Sequence, residues 1–153
     1  MNEIDDPRVM RLKTPEDCEA FALNVVAKYP DLAKQARRRG VQLRAARYGA
    51  KTEAEMESVQ AVFAFEEVRS QMRGKRVRAS RTWQAIKRDG ILPTVEKVVA
   101  RARETEAYEA LMEAGMSDYT FEAVVVRHPD SFSAQALGQA RARLDRDRAE
   151  VGE

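Results

Sequence analysis

Fifteen of the 27 lysines and arginines in this 153-residue chain fall in two short windows that contain no carboxylate. The first, residues 33–51, holds Lys34, Arg37, Arg38, Arg39, Arg44, Arg47 and Lys51. The second, residues 69–88, holds Arg69, Arg73, Lys75, Arg76, Arg78, Arg81, Lys87 and Arg88. The formal net charge is only +2, so the overall balance hides this segregation. Arginine dominates both windows, and its planar fork of donors grips phosphate bidentately where lysine offers a point charge.

The second window has the sharper pattern, a loop RGKRVRAS running into a short helix RTWQAIKRDG. Ala79, Trp83, Ile86 and Gly90 recur at helical spacing and form its inward stripe, which makes Trp83 a core anchor rather than a base-stacking platform. The outward side carries Arg81, Gln84, Lys87 and Arg88, and these types suit phosphates and base edges, arginine for guanine and glutamine for adenine. Ser80 and Thr82 add hydroxyls at the helix start. The expected nucleic-acid-binding set is therefore Arg73, Lys75, Arg76, Arg78, Ser80, Arg81, Gln84, Lys87 and Arg88, with Lys34, Arg37, Arg38 and Arg44 as a secondary basic patch. Duplex DNA is the expected partner. A competing reading makes both windows ordinary solvated faces, the first neutralised by Glu53, Glu55, Glu57, Glu66 and Glu67 on the next helix.

Catalytic chemistry finds less to work with. Cys18 and His128 are the only cysteine and the only histidine, which excludes intramolecular disulfides, zinc fingers and histidine-rich metal sites. His128 precedes Pro129 at a helix end and reads as a C-terminal cap, and Cys18 sits on an apolar helix face. None of the seven lysines has an acid two positions before it, the commonest arrangement in metal-dependent nucleases, and no phosphate-cradling glycine motif is present. Neither catalytic residues, nor a cofactor, nor a metal is expected.

The elements that must position these residues are all helices. Apolar side chains recur at i, i+3, i+4 and i+7 rather than in alternation, which predicts an all-α protein of seven to eight helices. Thr14, Pro15 and the acids after them open a helix over 15–28 with Cys18, Phe21, Val25 and Tyr29 inward. Pro30 opens a second, with Leu32, Ala36, Leu43 and Ala46 inward, ending at Gly49. Thr52 and Glu55 form a capping box for a third that runs to about Met72. Shorter helices follow over 80–89, from Pro93, around Leu111, and from Ser117 through Val125. A final helix starts at Ser131 or Ser133, carries Leu137, Ala140 and Leu144, and frays over 141–150, where charge signs alternate. The predicted arrangement is one helical domain, subdivided as a three-helix bundle over 14–74 and a short-helix group over 79–149, with flexible ends at 1–12 and 150–153. The 80–89 helix fits no helix-turn-helix frame, since the gap before it is too long and the helix after it carries Glu96 and Glu104.

Composition is that of a folded chain with a heavily charged surface, 44% hydrophobic and 34% charged. No apolar run approaches the roughly 18 residues of a membrane span, and the first residues lack a signal peptide's pattern, so a cytoplasmic protein is expected. The functional expectation is a nucleic-acid-binding helical domain. The alternative is a protein-interaction module with a basic face, homodimeric through the narrow stripe Leu137, Ala140 and Leu144.

Overall fold

The computed structural model describes residues 4–150, with side chains as far as Asp147. Among these residues every regular element is a helix: α1 (Pro7–Met10), α2 (Pro15–Val25), α3 (Pro30–Tyr48), α4 (Glu53–Arg73), α5 (Ser80–Asp89), α6 (Ile91–Ala100), α7 (Glu106–Glu113), α8 (Phe121–Arg127) and α9 (Ala134–Glu150). None is long and apolar enough to cross a membrane. The chain divides after Ala50 into two compact units.

The first unit holds α1 to α3. Thr14 accepts a hydrogen bond from the Asp17 amide to start α2, and Gly49, at φ +83°, closes α3 in the left-handed conformation that suits glycine. Val9, Ala22, Leu32, Ala33 and Ala36 form its core. Gly40 reads in sequence as a weak point of α3, yet it lies where α2 approaches closely, so that a Cβ there would stand 3.4 Å from the Cys18 Cβ. Two expected core positions face solvent. Tyr29 is exposed because α2 ends at Val25, and Ala46 is exposed because Val41 and Ala45 carry the buried face of α3. Residues 1–12, expected as a flexible end, include α1, capped by Asp6 and anchored by the fully buried Val9; residues 1–3 lie outside the described residues.

The second unit is built around α4. The capping box forms as the spacing predicts, with Thr52 and Glu55 each accepting the other's amide. Length groups this helix with the first two in an expected bundle over 14–74; in the structure α4 packs on α6, α7 and α8 and falls in the second compact unit. The reason lies in its own side chains: Val59, Val62, Ala61, Ala64 and Val68 are all buried, more apolar surface than one neighbour covers. The valine run after Phe121 is helical, and Thr120, not Ser117, supplies the cap by accepting from the Ala123 amide. Ser133 caps α9, and Glu96 receives both the amide and the hydroxyl of Ser133. His128 sits at the C-terminal cap of α8 as expected, with its Nε2 3.0 Å from the Glu57 carboxylate.

The end of α9 is held where alternating charge predicts fraying, because two of its polar residues, Arg143 and Asp147, and the apolar Leu144 engage the rest of the unit. Arg143, 4% exposed, pairs at 2.9 Å with the equally buried Glu122 and also donates to the carbonyls of Val99 and Arg101. Leu144 is fully buried, and the Tyr108 hydroxyl donates to Asp147 at 2.5 Å. Burial and the neighbouring Asp147 push the Tyr108 phenol above its ordinary range, while the Arg146 guanidinium holds Asp147 below the usual carboxylate range. The contact therefore stays phenol to carboxylate at neutral pH. Residues 151–153 of the expected flexible end lie outside the described residues. The stripe expected for dimerisation is spent internally: Ala140 and Leu144 are buried, and Leu137 packs on the Val95 and Val99 cluster.

Removing one partner of a buried ion pair strands the other, whereas replacing both with apolar residues is nearly neutral. Arg143→Met should therefore destabilise the protein by about 3–5 kcal/mol, with the double variant Glu122→Leu/Arg143→Met recovering much of the loss. Urea unfolding of the two variants checks this; a single variant as stable as the parent contradicts the role given to the pair.

Candidate nucleic-acid interface

Two polar side chains one turn apart on α4, Glu66 and Ser70, face the same way and fix the segment that follows the helix. Gly74, at φ +66°, ends α4 and lets the chain turn back. The Val77 amide then donates to Ser70 Oγ at 2.9 Å, and the Ala79 amide to Glu66 Oε2 at 2.8 Å. The same Glu66 oxygen accepts the indole Nε1–H of Trp83 at 2.7 Å. Glu66 is 4% exposed, so its charge is balanced by these oriented donors in a site closed to solvent. Trp83 packs its ring 4.9 Å from Phe63, and Ile86 and Ala79 bury beside Val62 and Phe65. The predicted inward stripe of α5 is thus present, and its tryptophan is an anchor.

Tying Val77 and Ala79 inward leaves their neighbours outside. Arg73, Lys75, Arg76, Arg78, Ser80, Arg81, Gln84 and Lys87 are all exposed. None of the six cations among them forms an ion pair with another described residue. The first turn of α5 contains no acid, and its cap residue, Ala79, offers no side-chain acceptor. Two members of the window differ. Arg88, expected among the outward readers, binds Asp89 through Nε at 3.1 Å and Nη2 at 3.0 Å, and this fork holds the Asp89 carboxyl below its usual range. Arg69 pairs with Glu106 of α7 and lies over the Phe65 ring. The window is free of acids in sequence, but its neighbours in space are not.

The secondary patch, in the first unit, is less open. Arg38 is buried, Arg37 and Arg44 are half-buried, and only Lys34 of the four is exposed. Beside them Arg39 donates to the Leu12 and Met10 carbonyls, and Arg47 pairs with Glu16 at 3.2 Å. Much of this window holds its own unit together. Four of the carboxylates expected to neutralise it have partners within the second unit. Glu55 serves the capping box, Glu57 binds Arg127 at 2.6 Å, Glu66 holds the loop, and Glu67 accepts from Gln71.

Glu66 and Ser70 are the functional residues that sequence reasoning missed. The available signal was position, because Glu66 continues the buried stripe Val59 and Val62 at i+7 and i+4. For other chemistries the arrangement offers little. Among the described residues no group of three or more histidine, cysteine or acidic side chains could hold a metal ion, and burial pushes the Cys18 thiol above its ordinary range. No protein-family model matches the chain, and no curated protein or solved structure is significantly similar to it.

Deleting the Glu66 carboxylate removes the acceptor of a buried amide and of a half-buried indole N–H, at about 1–3 kcal/mol each. Glu66→Ala should therefore cost about 2–4 kcal/mol, and Trp83→Ala about 3–5 kcal/mol through lost packing. Because the two share a hydrogen bond, the double variant should lose less than the sum of the singles. Denaturant unfolding measures all three, and strict additivity would contradict the contact.

Proposed function

We propose that the protein binds nucleic acid, duplex DNA in the first instance, by laying the surface formed by residues 73–87 against the phosphate backbone. The observation that carries the reading is the combination at Ser70 and Glu66: a segment tied at Val77 and Ala79 turns to solvent six cations that have no ion-pair partner among the described residues. A charged surface that is already ordered binds without first losing the freedom of its loop. Phosphate contacts of this kind position a protein on the duplex and carry no sequence information themselves. Base reading falls to Arg81 and Gln84, since the Arg88 guanidinium is occupied by Asp89. The proposed role is therefore binding with weak sequence preference, and no catalytic step is assigned.

Neutralising about four to six phosphates gives a log affinity against log salt slope of roughly −4 to −5 for duplex DNA. The triple variant Arg76→Ala/Arg78→Ala/Arg81→Ala should keep its stability within about 0.5 kcal/mol per site and flatten that slope by about 3. Fluorescence anisotropy across a salt series, with thermal melts on the same samples, reads both quantities. Absence of binding at low salt, or an unchanged slope in the folded triple variant, contradicts the proposal.

A further inference from the structure

We infer that Arg101 and Arg103, in the segment joining α6 to α7, are a second cationic arm of the same interface, resting on the duplex binding proposed above and gripping phosphates across a cleft from α5. In sequence these arginines stand among Glu96, Glu104 and Glu106, which would neutralise them. Packing engages all three acids elsewhere. Glu96 accepts from the amide and hydroxyl of Ser133, Glu104 pairs with Arg146 of α9 at 3.2 Å, and Glu106 pairs with Arg69 of α4. Arg101 and Arg103 are left exposed, with no ion-pair partner among the described residues.

The segment that carries them is anchored at its backbone and through its acids. The Arg101 carbonyl accepts from the buried Arg143 guanidinium, and Thr105 caps α7 by accepting from the Tyr108 amide at 3.2 Å. Glu104 and Glu106 tie the same stretch to α9 and α4. A polyanion would therefore meet these two arginines, like those of residues 73–87, on a surface that is already ordered.

Two observations set this arm beside the first. Thr82 of α5 and Thr105 line one cleft, together with Phe65 of α4 and Ala107 of α7. Arg69, the partner of Glu106, lies one helical turn before Arg73, the first exposed cation of the 73–87 surface. The carboxylate that stands between the two arms, Glu106, is thus the one that Arg69 neutralises. Glu109, exposed one turn further along α7, marks where the cationic face ends. Cations on both sides of a cleft suit a duplex, which presents two phosphate backbones across each groove, better than a single strand, which has one.

Fluorescence anisotropy on the full chain with a short duplex, across a salt series, tests this. Arg101→Ala/Arg103→Ala should flatten the log affinity against log salt slope by about 2, as two phosphate contacts are lost, with the melting temperature unchanged. Joined to Arg76→Ala/Arg78→Ala/Arg81→Ala, the two changes should leave almost no salt dependence, while a single strand of the same sequence should be far less sensitive to Arg101→Ala/Arg103→Ala. A parent chain that does not bind at low salt would remove the proposed function and this inference together. A parent whose slope responds to the 76, 78 and 81 changes but not to Arg101→Ala/Arg103→Ala would overturn this inference alone. So would an affinity loss in that variant without a change of slope, which marks a structural effect, or an equal loss on the single strand.

Discussion

Glu66 carries its charge at a position closed to solvent, in the middle of the helix around which the second unit is built, and forms no ion pair among the described residues. A carboxylate so placed is tolerable only if oriented donors surround it. Here the donors come from the segment that follows the helix, an amide at Ala79 and an indole at Trp83. Solvating this one charge therefore draws Ala79 inward and sets which face of α5 meets α4, while Gly74 turns the chain back and Ser70 holds Val77. The exposed arginines are consequences of that requirement: they occupy the positions left over once Val77, Ala79, Trp83 and Ile86 have been drawn in.

The same economy of polar groups holds the rest of the second unit. Glu122 and Arg143 meet in the interior, and Arg143 also donates to the carbonyls of Val99 and Arg101 at the end of α6. Glu96 holds Ser133, the cap of α9, and Asp147 anchors the far end of that helix through Tyr108. Acids are consumed in these internal tasks while several arginines are not, so a nearly balanced composition yields a surface whose segment at 73–87 is strongly cationic. That asymmetry, more than net charge, is what a polyanionic partner would meet.

The fold class and most helix boundaries were legible because they rest on local chemistry. Thr14, Thr52, Gly49 and Gly74 perform at helix ends the roles their types predict, and the inward stripe of α5 follows from spacing alone. What escaped were polar residues whose partners are distant in sequence. Glu66 and Arg143 look like solvated charges when read against their neighbours, and only the packing of α4 and α9 turns them inward. Arg88 and Arg69 escaped for the converse reason, since Asp89 was read as a helix end and Glu106 lies 37 positions away (106 − 69). The neighbours of α4 were hidden for a related reason: length tied it to the helices before it, whereas its two-sided apolar surface is met by the shorter helices after it.

The central claim is that the cationic segment is ordered before any partner arrives, and amide hydrogen exchange on the free, unmodified protein measures this directly. The account predicts that the amides of Val77 and Ala79 and the indole N–H of Trp83 exchange slowly, with protection comparable to buried positions of α4 such as Val62. Exchange of all three at the unprotected rates of an open loop would contradict it, since the arginines would then be carried on a disordered segment and Glu66 would have no part in placing them.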